Sequence, residues 1–218
     1  MVNARTRFLD GGWYAPLRDC LCEIVGTCPA ERPVLIDAGC GEGYYTAALS
    51  GVITGKNGRT AGVDLSKAAV RRAARRCPQA EIAVASVYRL PFGERSADVL
   101  LDCFSPLAID EFRRVLKPGG QFLYVIPGPA HLWELKEILY DSPYENAVRE
   151  EEYDGFTQTD GVPLQFPLSL QSGDEIEDLF RMTPYTWKTP RDGVDRLASV
   201  RKLKVTAQFR ILAFRRKG

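Results

Sequence analysis

The sequence predicts a doubly wound α/β fold around a mostly parallel sheet, on the strength of three observations. Short apolar runs alternate with helix-patterned stretches between residues 33 and 127. A glycine-rich turn follows the first of those runs, and the second run ends on an acidic residue. At 218 residues the chain suits one domain of this class with an insertion, rather than two. That domain divides into an N-terminal helical segment (1–32), a core (33–127), a substrate-side region (128–200) and one or two closing strands (201–218).

The elements follow in order. Leu17, Leu21, Ile24 and Val25 recur at helical spacing between Trp13 and Cys28. Pro33–Asp37 is apolar, bounded by proline and by glycines, and so predicts a buried parallel strand, with a helix opening at Tyr44. Thr60–Asp64 is the second strand, and Ser66 is placed to cap an Ala- and Arg-rich helix that ends near Cys77. Glu81–Ala85, Ala97–Asp102 and Gln121–Ile126 are the third to fifth strands, with Lys117-Pro118-Gly119-Gly120 as the turn before the fifth. Beyond Pro127, residues 131–140 read as a helix, 141–161 as an acidic and aromatic insertion, 162–170 as a strand, 173–182 as a helix and 203–216 as strand.

Composition narrows the function classes. Hydrophobic residues at 45% and charged residues at 26% describe an ordinary folded domain. No apolar run reaches the roughly 20 residues of a membrane span and no signal peptide opens the chain, so a cytoplasmic protein without membrane partner is expected. The six cysteines show no Cys-x-x-Cys spacing, and no metal is expected. A net charge of +1 does not by itself argue for nucleic acid. Local clusters do exist: Arg71, Arg72, Arg75 and Arg76; Arg201 to Lys217; and, in the opposite sense, Glu150, Glu151, Glu152 and Asp154. Each also reads as a solvated face.

Chemistry concentrates at the ends of the first strands. Asp37-Ala38-Gly39-Cys40-Gly41-Glu42-Gly43 lies between strand and helix, where glycines let backbone approach a nucleotide-like ligand and a helix N-terminus faces it. Dinucleotide sites, mononucleotide sites and plain turns share such a loop. Asp64 stands about twenty residues on, the spacing at which a carboxylate reaches ribose hydroxyls, although a capping role would suit it too. Leu65 follows it, Ser86 follows the third strand and could meet a base edge, and Phe104-Ser105-Pro106 follow the fourth. Asp102 and Asp10 could act as bases but have structural readings, so no catalytic residue is assigned.

The Asp-x-Gly-x-Gly-x-Gly wording, the acid at strand two and the Lys-Pro-Gly-Gly turn resemble class I S-adenosylmethionine methyltransferases, a Rossmann-like fold. A closer resemblance runs through Arg7–Asp19, Gly39–Thr46, Ala85-Ser86, Arg89-Leu90-Pro91-Phe92, Pro127-Gly128-Pro129 with His131-Leu132 and Glu134-Leu135-Lys136, and Met182-Thr183-Pro184-Tyr185 with Trp187. These segments are similar to the bacterial 23S ribosomal RNA guanine-N1 methyltransferases. The resemblance implies S-adenosyl-L-methionine as cofactor, ribosomal RNA as partner, and cofactor contacts at Tyr14, Gly41, Glu42 and His131 beside Asp37, Gly39, Gly43, Asp64, Leu65, Ser86, Phe104 and Ser105. His131, the lone histidine, would otherwise read as a structural helix-start residue.

The family's four-ligand zinc ribbon, which precedes its methyltransferase domain, has no counterpart in these residues. The alternatives are therefore a small-molecule methyltransferase of a ribbon-less branch and a cofactor-binding protein without catalysis; a homodimer is left open. An RNA base must leave its stack to react, and Trp13, Tyr14, Tyr144, Phe156, Tyr185 and Trp187 are candidate stacking partners, each with a core reading beside it. Arg5, Arg7, Arg71, Arg75 and Arg201 are the candidate phosphate contacts.

Overall fold

The computed structural model describes residues 2–147 and 152–218, so Glu150 and Glu151 of the acidic run lie outside the described residues. The chain forms two compact units. Unit 1 comprises Met1–Pro16, Pro127–Arg149 and Pro163–Arg210; unit 2 comprises Leu17–Ile126, Glu150–Val162 and Ile211–Gly218.

Unit 2 holds the strands anticipated from their apolar runs: β1 (Val34–Ala38), β2 (Arg59–Asp64), β3 (Glu81–Val84), β4 (Ala97–Cys103) and β5 (Leu116–Pro127). The order is β3-β2-β1-β4-β5, continued by β8 (Leu203–Arg216) and β6 (Phe156–Gln158). β1 to β5 pair in parallel and β6 is antiparallel to β8. Helices α2 (Ala15–Gly26), α3 (Tyr44–Thr54), α4 (Lys67–Arg76) and α5 (Ile109–Val115) complete the unit. Because parallel strands are covered on both faces, Leu35, Ile36, Val99, Leu100 and Phe122 are all buried. Ser66 caps α4 as anticipated, its Oγ accepting from the Ala69 N–H at 3.3 Å.

One local reading needs correction. Lys117–Gly120, expected as a turn before the fifth strand, is an outward bulge within β5: Ala97 pairs with Leu116 and Val99 with Gln121, so Asp98 alone faces four residues. Asp98 accounts for it, accepting Lys117 Nζ at 2.8 and 2.9 Å and the Val34 N–H at 2.9 Å. Gly119, at φ +75°, makes the reversal that a side chain would oppose.

Unit 1 contains α1 (Val2–Asp10), α6 (Trp133–Leu139), β7 (Val162–Leu170), α7 (Gly173–Met182), a 3₁₀ turn (Pro184–Trp187), α8 (Arg191–Ser199) and the first half of β8, with which β7 pairs. β7 and α7 have the expected bounds. α6 begins two residues later than expected, because Leu132 takes φ 55° and ψ 39° and cannot start a right-handed turn. α1, α8 and the 3₁₀ turn are additions. α1 buries only Ala4, Phe8 and Leu9 of nine residues, a weak apolar period, and α8 carries an internal glycine that reads as a break between elements. Gly193 is required by packing: a Cβ there would lie 2.2 Å from the Leu139 carbonyl oxygen of α6. Among the described residues no helix is long and apolar enough to cross a membrane.

Candidate active site

The glycine loop is built by backbone. β1 delivers Asp37 at its carboxyl end, buried, where Thr46 Oγ1 donates to Oδ2 at 2.6 Å and ties strand to helix α3. The chain then turns through Gly39 (φ +89°), Gly41 (φ +56°) and Gly43 (φ +82°), a left-handed region unfavourable to other residues. The Gly39 and Cys40 N–H groups both donate to the Val63 carbonyl at 2.8 Å, and the Gly41 N–H donates to Asp64 Oδ2 at 3.0 Å. Close packing adds a second constraint. A Cβ on Gly39 would lie 2.4 Å from Ser105 Cβ, and one on Gly43 would lie 2.8 Å from Ala73 Cα. Glu42 is buried within the loop.

Asp64 therefore serves structure as well as any ligand: Oδ2 steadies the loop while Oδ1 accepts the Ser66 N–H at 2.8 Å. Beside it, at the carboxyl ends of β2 and β4, apolar side chains face outward, with Leu65 at 71% and Phe104 at 38% exposure. Phe104 holds φ +64°, an uncommon conformation for a bulky residue and one that concentrates at functional sites. Ser86, after β3, closes a short turn in which its Oγ accepts the Tyr88 N–H at 3.2 Å.

Asp102 is the unusual titrating group of this region. It is wholly buried at the end of β4, beside Ala38 of β1. Burial pushes its carboxyl up to about 7, with the Asp37 charge adding to the effect. The Ser105 N–H, donating to Oδ1 at 3.0 Å, only partly offsets this. The Ser105 hydroxyl also favours the charged form, although no well-aligned hydrogen bond joins Ser105 Oγ to Asp102 Oδ2.

Unit 1 brings Tyr14 and His131 together, their ring centroids 6.5 Å apart, with Phe209 at 5.0 Å from Tyr14 and 4.7 Å from His131. The Gln208 N–H donates to His131 Nδ1 at 3.1 Å, which leaves the proton of a neutral ring on Nε2. Burial depresses the imidazole to about 3, so the ring is uncharged at physiological pH and can donate through Nε2. Gln208 also accepts the Ala130 N–H through Oε1 at 2.8 Å, fixing the Gly128–His131 turn.

Lys136, one turn further along α6, is fully buried. Its Nζ donates to the Tyr144 carbonyl at 2.8 Å and to Asn146 Oδ1 at 2.9 Å, and lies over the Tyr144 and Tyr185 rings at 4.8 and 5.6 Å. Asn146 Nδ2 in turn donates to the Gly128 carbonyl at 2.8 Å. Arg7, a candidate phosphate contact, is instead engaged by Asp178, whose Oδ2 accepts its Nε at 2.8 Å. Among the described residues no cluster of His, Cys, Asp and Glu is arranged to hold a metal ion.

Comparison with known proteins decides the family. A family model described as a methyltransferase domain matches residues 35–120. YxjB of Bacillus subtilis, whose name puts it among the 23S rRNA (guanine-N(1)-)-methyltransferases, is 34% identical over 97% of this chain and 78% of its own length. The chain belongs to this methyltransferase family. The 23S rRNA (guanine(748)-N(1))-methyltransferase of Streptomyces fradiae is 40% identical over 64% of the chain, a match spanning 50% of that protein. Among solved structures, BH2331 of Bacillus halodurans superposes with a TM-score of 0.60 at 14% identity, covering 91% of this chain and 98% of that one. At that identity the likeness speaks for the fold. The protein is thus an S-adenosylmethionine-dependent methyltransferase with a Rossmann-like α/β core.

The residues present suit that donor. Its adenosine needs apolar contacts, and the exposed Leu65 after β2 and Phe104 after β4, on the two strands that flank β1, offer them; its ribose needs a carboxylate, and Asp64 ends β2 directly before Leu65. Sequence reasoning passed over Gln208 and Lys136. Gln208 acts from 77 residues away, and nothing local signals it. Lys136 did carry a signal, a lysine four residues after Leu132 and three after Trp133, on the same helix face as those two apolar residues.

Proposed function

We propose that this methyltransferase acts in the bacterial cytoplasm on N1 of a guanine in large-subunit ribosomal RNA. The observation that carries the reading is the reach of the similarity to YxjB: 97% of the chain, well beyond the 35–120 region that the general methyltransferase model matches. Residues after Pro127 lie outside the common donor-binding core, and acceptor choice in such folds rests on the parts grafted onto it.

The donor, when bound, supplies an electrophilic methyl group on a sulfonium. In this reading the Gly39–Gly43 backbone and the N-terminus of α3 hold its methionine end, Asp64 takes the ribose hydroxyls, and Leu65, Ser86 and Phe104 receive the adenine, with Asp37 and Ser105 shaping the floor. The matched motifs, and they alone, add Tyr14 and His131; a neutral His131 would give a hydrogen bond and take no proton from the acceptor. Guanine N1 bears a proton at neutral pH, so this proton passes to water as the N–CH₃ bond forms and the methyl–sulfur bond breaks to leave a neutral thioether, and correct placement of the two reactants provides much of the rate.

The test is methyl transfer from labelled S-adenosylmethionine to unmodified large-subunit RNA, followed by digestion to nucleosides. Label in N1-methylguanosine is the expected result. Label on no RNA at any salt, with turnover of a small molecule instead, refutes the RNA acceptor and leaves the methyltransferase assignment standing.

A further inference from the structure

The structure separates the candidate stacking aromatics sharply. Tyr14, Phe156 and Tyr185 are buried, and Trp13 is half-buried against Phe8 at 6.2 Å. Tyr144 is 48% exposed, but its ring faces the Lys136 ammonium. Trp187 stands apart at 79% exposure. It closes the 3₁₀ turn and lines a groove of about 640 Å³ that α7 and α8 also line, all within unit 1, with Ile176, Phe180 and Leu197 in its walls and Arg181 and Arg201 among its lining residues.

The indole stands on a rigid support. Thr183 Oγ1 and Thr186 Oγ1 both donate to the Phe180 carbonyl, at 2.8 and 3.0 Å, and the Lys188 N–H donates to the Tyr185 carbonyl at 2.9 Å. Tyr185 itself is packed inward, edge-on to Tyr140. An exposed aromatic held this way offers a flat face at little entropic cost on binding.

Charge indicates the occupant. From Arg181 to Lys204 the chain carries seven basic residues (Arg181, Lys188, Arg191, Arg196, Arg201, Lys202, Lys204) against two acidic ones (Asp192, Asp195), and Arg196 is paired with Asp141 at 3.1 Å. Two carboxylates from α7 also line the groove; Glu177 is paired with Arg181 at 2.7 Å, and Asp174 lies in the first turn of the helix. A rigid aromatic face within a basic stretch matches the stacking platform and backbone charge that single-stranded nucleic acid needs.

We propose that the Trp187 groove binds an unpaired base of the RNA acceptor, stacked on the indole with a flanking phosphate facing Arg201. The proposal rests on the RNA reading above and adds a contact with the same molecule through residues of unit 1.

The experiment compares the full chain with Trp187→Ala, Trp187→Phe and Arg201→Ala, using an unmodified large-subunit RNA transcript as probe. Trp187→Ala is expected to raise Kd and KM for RNA about tenfold, while kcat at saturating RNA and donor affinity hold. Trp187→Phe should recover most of the loss, since a ring still stacks. Arg201→Ala should lower the slope of log affinity against log salt by about one. Trp187→Ala with wild-type RNA affinity overturns the proposal, as does unchanged RNA affinity with an altered oligomeric state, which would make the groove a protein interface. If wild-type protein neither binds nor methylates RNA, the RNA reading fails and takes this proposal with it. If wild type and Trp187→Ala methylate RNA with the same KM, the proposal alone fails.

Discussion

The glycine loop of unit 2 and the His131 cluster of unit 1 are assembled in opposite ways. Around the loop, backbone does most of the work: N–H groups of Gly39, Cys40 and Gly41 meet the end of β2, and glycines at positive φ turn the chain. Around His131, side chains recruited over long distances do it, with Gln208 on the imidazole and on the Gly128–His131 turn, and Lys136 gathering Tyr144, Asn146 and Tyr185. A backbone site is written in consecutive residues and tolerates no Cβ. A side-chain site is dispersed, and its weak points are buried polar groups.

Substitutions at the loop should produce the largest effects. Gly39→Ala places a Cβ at 2.4 Å from Ser105 Cβ on a backbone of φ +89°, and displacement of the loop should weaken donor binding by about 100-fold or more, read by calorimetry. In unit 1 the counterpart is Lys136→Ala, which leaves Asn146 Oδ1 and the Tyr144 carbonyl without their donor and should cost about 3 kcal/mol of stability in denaturant titration. Donor affinity unchanged in the first variant, or full stability in the second, would collapse the contrast. Asp64→Ala should weaken the donor roughly tenfold to a hundredfold, the worth of a charge-assisted hydrogen bond being about 1.5–3 kcal/mol.

The two regions should also respond oppositely to pH. Asp102 binds its proton more tightly folded than unfolded, because its carboxyl is raised to about 7, so its contribution falls as pH rises from about 4 to 7. His131 is depressed to about 3, so the unfolded chain binds the proton between about 3 and 6.5 and stability rises with pH there. The two slopes oppose each other between about pH 4 and 6.5, so Asp102→Asn should uncover a rise of melting temperature with pH there, and His131→Gln should leave a fall. Identical profiles in both variants would show that neither group titrates as its burial requires. The smallest effect is expected at Ser66→Ala, about 1 kcal/mol from the lost cap of α4.

Legibility followed the same division. β1 to β4, the start of α3 at Tyr44, the Ser66 cap and the bounds of β7 and α7 could be read locally, because each rests on an apolar period or a capping residue within a few positions. The late start of α6 could not, since Leu132 reaches φ 55° only with its N–H held by the Thr206 carbonyl at 2.9 Å, and Thr206 lies in β8. The bulge at Lys117–Gly120 depends on Asp98 of the neighbouring strand. α8 escaped notice because Gly193 reads locally as a break, and only the approach of the Leu139 carbonyl explains a glycine inside the helix.

The sequence by itself determined the alternation of strand and helix, the placement of Asp37, Gly39, Gly41, Gly43 and Asp64 at strand ends, and the family, because these follow from periodicity and from residues close in the chain. Tertiary structure alone decided which ionisable groups are buried and hence how they titrate. It decided that Asp102 sits wholly out of water beside Ala38, that His131 is neutral with its proton on Nε2, that Lys136 is enclosed by tyrosines, and that Trp187 is the most exposed of the candidate stacking aromatics. Burial and desolvation belong to what surrounds a residue from every direction, and those neighbours come from segments that the order of residues keeps far apart.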